Sequence, residues 1–280
     1  MKRPSSLRQP PVPLFALVAA GVAALLATAI TPASADRGSS SSPGEKPTVV
    51  LVHGAFADSS SWNGVVRKLQ REGYPVVAAA NPLRGLNNDS AYLKEVLAGI
   101  GGPVVLAGHS YGGSVISNAA RGADNVKALV YIAAFIPEKG ESAAELSEKF
   151  PGSTLGQSLK SVPVTLPDGS EGSDLYIEVA KFHDQFAADV PRNTTGLMAV
   201  TQRPVTNAGL EEEASEPAWK TIPSWALVAT EDRNIPERAQ SFMAERAGAR
   251  TVKVRASHAV GVSQPDDVAR LIKKAAQETR

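Results

Sequence analysis

The sequence predicts an α/β fold, a doubly wound and mostly parallel sheet, and three observations carry that expectation. Short β-branched runs without polar interruption recur along the chain, as in strands buried on both faces. Segments of helical period separate them, the alternation that builds a parallel sheet covered on both sides. A glycine-rich pentapeptide, Gly108-His109-Ser110-Tyr111-Gly112, joins one such run directly to one such helix.

Thr48–His53 is the first expected strand, and Trp62–Arg71 the first helix, with Val65, Val66 and Leu69 on one face and serines ahead to cap it. Pro75–Ala80 reads as a strand and Ala91–Ile100 as a helix after Asp89-Ser90. Val104–Ala107 with Gly113–Ala120, and then Lys127–Ala133, complete the first half. The second half holds Trp225–Ala229, Glu237–Ala247, Thr251–Val254 and a last helix starting near Pro265, where proline suits the first turn. The alternation breaks over residues 138–217. That stretch is expected to be a helical cap inserted after the fourth strand, with helix-like fragments at Ala143–Phe150, Leu175–Phe186 and Thr195–Val200.

The N-terminal segment stands apart from this pattern. Lys2, Arg3 and Arg8 precede an apolar run from Leu14 to Ile30 that ends in Ala33-Ser34-Ala35, the order of features in a secretory signal peptide. Residues 1–35 are read as that peptide, cut after Ala35, and the chain as secreted. The rival reading is an uncleaved membrane tether, since the run approaches bilayer-spanning length. Asp36–Pro47, with four consecutive serines, reads as a flexible linker before a domain of residues 48–280. Removing three basic residues and no acidic one leaves 26 Lys+Arg against 28 Asp+Glu, with no basic run to follow a phosphate backbone. Nucleic acid is not an expected partner, and neither is a membrane once the leader is removed. The chain has no cysteine, which excludes disulfides, thiolate nucleophiles and Cys-ligated metals.

Chemistry concentrates at Ser110. In a strand-to-helix turn this tight the serine is strained, glycines on either side relieve crowding, and the hydroxyl is exposed at the carboxyl edge of the sheet. A serine hydroxyl needs a base, and there are four histidines. His53 ends a strand, His109 lies inside the turn and His183 falls in the cap. Only His258, after the last strand, returns an imidazole to the sheet edge. An acid must orient that ring, and Asp232, after the strand Trp225–Ala229, stands in the expected order Ser, acid, His. Neighbouring Glu231, and more remotely Glu138, are alternatives. Backbone amides of Tyr111 and Ala55 are the expected oxyanion donors. Phe56, Phe135, Tyr176, Phe182, Phe186 and Met198 are candidates to line an apolar substrate pocket beneath the cap.

His53-Gly54-Ala55-Phe56 with Trp62, Gly108–Gly113, Tyr131–Phe135, Asp232–Pro236 and Ser257-His258 together resemble the α/β-hydrolase superfamily. The likeness is to the branch holding plant methylesterases, hydroxynitrile lyases and related bacterial serine hydrolases. That resemblance implies ester hydrolysis through an acyl-enzyme, on small to medium esters, without metal or organic cofactor. Lyases of the branch carry a Lys after the catalytic His and a Thr before the first oxyanion residue, where this chain has Ala259 and Gly54. Fold does not fix function. A cofactor-free perhydrolase, a C–C hydrolase or a ligand-binding receptor would use the same scaffold.

Overall fold

The computed structural model describes residues 46–166 and 169–279. The expected signal peptide and most of the expected linker lie outside these residues. The described chain starts two residues before the first strand. Lys46 donates to the Glu72 carbonyl and lies 4.8 Å from the centre of the Tyr74 ring, so the domain begins slightly earlier than the linker reading places it.

In chain order come β1 (Thr48–Val52), α1 (Asn63–Arg71), β2 (Val76–Ala79), α2 (Leu86–Ala98), β3 (Val104–His109), α3 (Gly112–Ala119) and β4 (Val126–Ile132). The insertion follows: α4 (Ala143–Glu148), β5 (Leu159–Thr165), β6 (Glu171–Ile177), α5 (Val179–Phe186), α6 (Arg192–Thr201), β7 (Val205–Thr206) and α7 (Asn207–Glu211). The chain then returns with β8 (Ser224–Ala229), α8 (Glu237–Arg246), β9 (Arg250–Val254), α9 (Val260–Ser263) and α10 (Pro265–Glu278).

Six parallel strands form the main sheet in the order β2-β1-β3-β4-β8-β9. Alternate residues of each strand face opposite sides, and the core divides accordingly. Val49, Leu51, Val105, Ala107, Val130 and Leu227 pack against Val65 and Leu69 of α1 and Leu271 and Ile272 of α10. Val50, Val52, Leu106, Leu129 and Tyr131 face α2, α3 and α8. The chain leaves β1 toward β2 and comes back on the other side at β3, so the winding reverses between β1 and β3. Ligands of open α/β sheets bind outside the carboxyl ends at such a point. Those two ends carry His53–Phe56 and Ser110.

The cap is mixed rather than helical. β5, β6 and β7 form a three-stranded antiparallel sheet, and the fragment expected as one helix over Leu175–Phe186 is the end of β6 followed by α5. Leu175 and Ile177 obey the two-residue period of a strand, and Val179–Phe186 then takes the helical one. Several polar contacts tie the cap to the main domain, among them the following. Arg84 bonds Asp174 at 2.7 Å and the Pro204 carbonyl at 3.0 Å. Arg246 grips Glu141 through both guanidinium nitrogens at 2.8 and 2.6 Å, and Ala259 N–H donates to the Phe186 carbonyl at 3.0 Å.

Candidate active site

Ser110 has φ +54, a left-handed conformation that costs a non-glycine residue about 1–3 kcal/mol. The surrounding backbone holds it there. Ser110 N–H donates to the Ile132 carbonyl at 3.2 Å, and the Ser110 carbonyl accepts from Gly113 at 2.9 Å and Phe135 at 3.2 Å. The neighbouring glycines are required by space. A Cβ on Gly108 would lie 2.5 Å from the Gly112 oxygen, one on Gly112 would lie 2.6 Å from the Val52 oxygen, and one on Gly113 would overlap the Phe135 oxygen. β3 and α3 therefore meet in a turn that only this glycine pattern permits.

The loop after β1 presses on this turn. A Cβ on Gly54 would sit 2.7 Å from Ser110 Cβ and 3.2 Å from Tyr111 N. Ala55 and Tyr111 line the same small cavity as Ser110, and neither amide donates to an acceptor among the described residues. Two N–H groups without an acceptor among the described residues thus belong to residues that border the cavity Ser110 lines, and a pair of such donors is what an oxyanion hole requires. Tyr111 is anchored from its far end, where its hydroxyl donates to Asp89 Oδ2 at 2.9 Å. Asp89 is itself fully buried, and burial raises its carboxyl above the usual range.

His258 and Asp232 are a buried pair, Nδ1 to Oδ2 at 2.7 Å. Asp232 accepts three further bonds: at Oδ1 from the amides of Asn234 (2.7 Å) and Ile235 (3.0 Å), and at Oδ2 from Gln240 Nε2 (2.8 Å). With Nδ1 donating to the carboxylate, the neutral ring keeps Nε2 as its acceptor. That Nε2 is buried and has no hydrogen-bond partner. The alternatives to Asp232 point elsewhere: Glu231 pairs with Arg255 at 2.7 Å and Glu138 with Lys220 at 2.6 Å, both toward solvent.

His109 turns away from the serine, as the position inside the turn predicts, and supports the other histidine from below. Its Nε2 meets the His258 carbonyl at 2.9 Å, so Nε2 carries the proton, and the rings lie 4.7 Å apart. Burial, then the nearby His258, lower its pKa to about 3, which keeps it neutral. From above, the end of α5 brackets the His258 loop. The Phe186 carbonyl accepts from Ala259 N–H at 3.0 Å and from Ser257 Oγ at 3.4 Å, and Ser257 also donates to Asp189. The Phe186 ring stands edge-on to His258 with centroids 5.0 Å apart. Gln240, Asp189 and Ser257 escape sequence reasoning because each works through partners 8 to 68 residues away.

The six apolar candidates divide. Phe56 and Phe135 line the cavity at Ser110, together with Ala143, Leu155 and Ile235. Met198 lines a separate cleft that it shares with Phe56. Phe186 packs on His258 instead. Phe182 is wholly buried, stacked on Phe186 at 5.0 Å, and offers no surface to a ligand. Tyr176, on the cap strand β6 opposite Lys160, lines neither space. Tyr176 belongs to strand β6, and Phe182 of α5 turns into the apolar packing of the domain. Among the described residues, no cluster of His, Asp or Glu is placed to hold a metal ion.

Residues 49–271 match the family described as alpha/beta hydrolases. The chain belongs to that family. An alpha/beta hydrolase of Aspergillus novofumigatus is 27% identical over 257 residues, covering 83% of this chain and 98% of the fungal one. Methylesterase 1 of Arabidopsis thaliana is 25% identical, covering 71% of this chain and 83% of its own. Among solved structures, polyneuridine aldehyde esterase superposes with a TM-score of 0.71 at 20% identity, over 82% of this chain and 99% of that one. Plant methylesterases are thus among the proteins to which this family member is similar, and the parallel sheet is common to the fold.

Proposed function

We propose that this family member is a serine carboxylesterase acting on small to medium esters through an acyl-enzyme. The observation that carries the reading is Ser110 at φ +54, pressed against the Ala55 loop, in a turn whose His109 bonds the carbonyl of His258, itself paired with buried Asp232. Relatives named as esterases support the same direction.

In this reading Nε2 of His258, the unpartnered acceptor, takes the Ser110 proton as Oγ attacks the ester carbonyl. The carbonyl oxygen becomes an oxyanion and receives the amides of Ala55 and Tyr111. The imidazolium so formed is stabilised by Asp232, which holds the ring in its tautomer throughout. His258 then protonates the departing alkoxide and the alcohol leaves. Water enters and attacks the acyl carbon as the same Nε2 takes its proton, and the imidazolium returns that proton to Ser110 Oγ as the Oγ–acyl bond breaks and the acid leaves. Ala259, beside His258, brings no cation to a leaving group, which favours hydrolysis over lyase chemistry.

The test compares wild type with Ser110→Ala on p-nitrophenyl acetate and butyrate, and maps a fluorophosphonate adduct by mass spectrometry. Turnover lost in the variant, with the adduct on Ser110, is the expected result. Equal rates in both proteins, or an adduct elsewhere, would overturn the reading.

A further inference from the structure

The cavity at Ser110 is about 40 Å³, room for one or two water molecules. Ligand sites usually measure about 300–1,000 Å³. A space of that size lies next to it, a cleft of about 420 Å³ between the segment Ser59–Trp62 with α1 on one side and α6 of the cap on the other. None of Ser110, Asp232 and His258 borders it.

Phe56 is the residue that lines both spaces. It follows Ala55, the expected oxyanion donor, and has φ +61. Its N–H donates to the Arg203 carbonyl at 3.0 Å, in the segment linking α6 to β7. A backbone in the left-handed region, held by one bond to the cap, turns the aromatic ring into a wall between the two volumes. The cleft itself has an apolar floor of Phe56, Met198, Val262 and Pro265 and a rim with exposed Ser60 and Asn63. Its charges are one of each sign, Asp58 and Arg67, and Asp58 is engaged in accepting from Ser60 N–H at 2.7 Å. Ser61, Thr194, Thr201 and Gln202 add neutral polar groups around the apolar floor, so the lining suits an uncharged chain.

We propose that the cleft is a substrate subsite for the long apolar half of an ester, and that Phe56 is the partition whose side chain sets chain-length preference. The proposal rests on the esterase reading of Ser110. The inner cavity as it stands holds only a short group of an ester, such as acetyl, whereas a long chain needs the Phe56 ring displaced so that it continues into the cleft.

The experiment measures kcat/KM for p-nitrophenyl octanoate and octyl acetate, each relative to p-nitrophenyl acetate. Phe56→Ala should raise the long-to-short ratio for at least one series by about tenfold or more, the scale of discrimination in apolar pockets. Phe56→Leu accompanies it as the milder change to a core position. Met198→Trp, filling the cleft from α6, should lower the same ratio about tenfold. Binding of methyl octanoate to Ser110→Ala by calorimetry gives a readout without turnover, and adding Met198→Trp should weaken it. Ratios and binding unmoved in folded variants whose Ser110 still takes the fluorophosphonate would overturn the subsite alone. An unlabelled Ser110 with methyl octanoate binding that Met198→Trp abolishes would overturn the esterase reading and leave the subsite standing.

Discussion

Replacing Asp232 with Asn sets an amide where four donors converge, and no orientation of that amide satisfies them. If its NH2 takes the Oδ1 position it faces the Asn234 and Ile235 amides; at Oδ2 it faces Gln240 Nε2 and His258. Two hydrogen bonds to a charged acceptor are lost in either case, and the remaining two become neutral. At about 1.5–3 kcal/mol for each charge-assisted bond, the two lost bonds alone cost the native state about 3–6 kcal/mol. The effect on turnover is separate and larger. An NH2 at Oδ2 forces His258 Nδ1 to accept, which moves the proton to Nε2 and removes the base. Loss of the correct tautomer in a Ser-His-Asp site lowers kcat by about 10⁴, equivalent to about 5 kcal/mol of barrier. The assay is kcat on p-nitrophenyl acetate beside urea unfolding of the same samples. A folded Asp232→Asn protein retaining kcat within about tenfold of wild type would refute the role assigned to the pair, since that is about a thousandfold short of the loss expected.

Two further outcomes follow from buried geometry. Gly113→Ala places a methyl on the Phe135 carbonyl oxygen and 2.8 Å from Ala134 Cβ, neither of which has a flexible end to swing aside. Destabilisation of about 3 kcal/mol, at the upper end of overpacking effects, should appear as a lower urea midpoint at unchanged slope, and an unaltered midpoint would contradict the close turn. His109, with its pKa lowered to about 3 against 6.5 unfolded, binds its proton more readily in the unfolded chain. Its contribution is therefore complete above the unfolded value and is lost as pH falls from about 6.5 toward 3, amounting to about 3 kcal/mol by pH 4. Unfolding free energies of wild type and His109→Gln between pH 4 and 8 should diverge by that slope, and parallel curves would show that His109 is not buried neutral.

The parallel sheet was readable because its strands are buried on both faces. Val104–His109 is buried at every position, and its first four residues form an apolar run, bounded by glycine, of the length of a strand. The positions of Ser110, Asp232 and His258 in the fold are legible for a related reason: each follows a strand, and a parallel sheet brings its carboxyl ends to one edge. The cap strands were not. β5 is exposed at most positions and carries Pro163, as an edge strand can, so its apolar residues are diluted. A signal was present in Pro167-Asp168-Gly169-Ser170, a turn sequence between two alternating stretches. Gln240 and Asp89 offered none, because a polar residue on a helix looks the same whether it faces water or a buried carboxylate.

The Phe186 carbonyl, shared by Ala259 N–H and Ser257 Oγ, bears on how this molecule can be re-engineered. A cap that touched the main domain only through side chains could be exchanged for a relative's as a cassette. Here the last turn of α5 supplies a backbone acceptor to the residues on both sides of His258. A transplanted cap must end its corresponding helix at the same point in space, or it leaves a buried amide unpaired beside the histidine. Cap and histidine loop form a single inheritable unit, and chimeras cut between them should fold better when residues 186–189 and 257–259 come from the same parent.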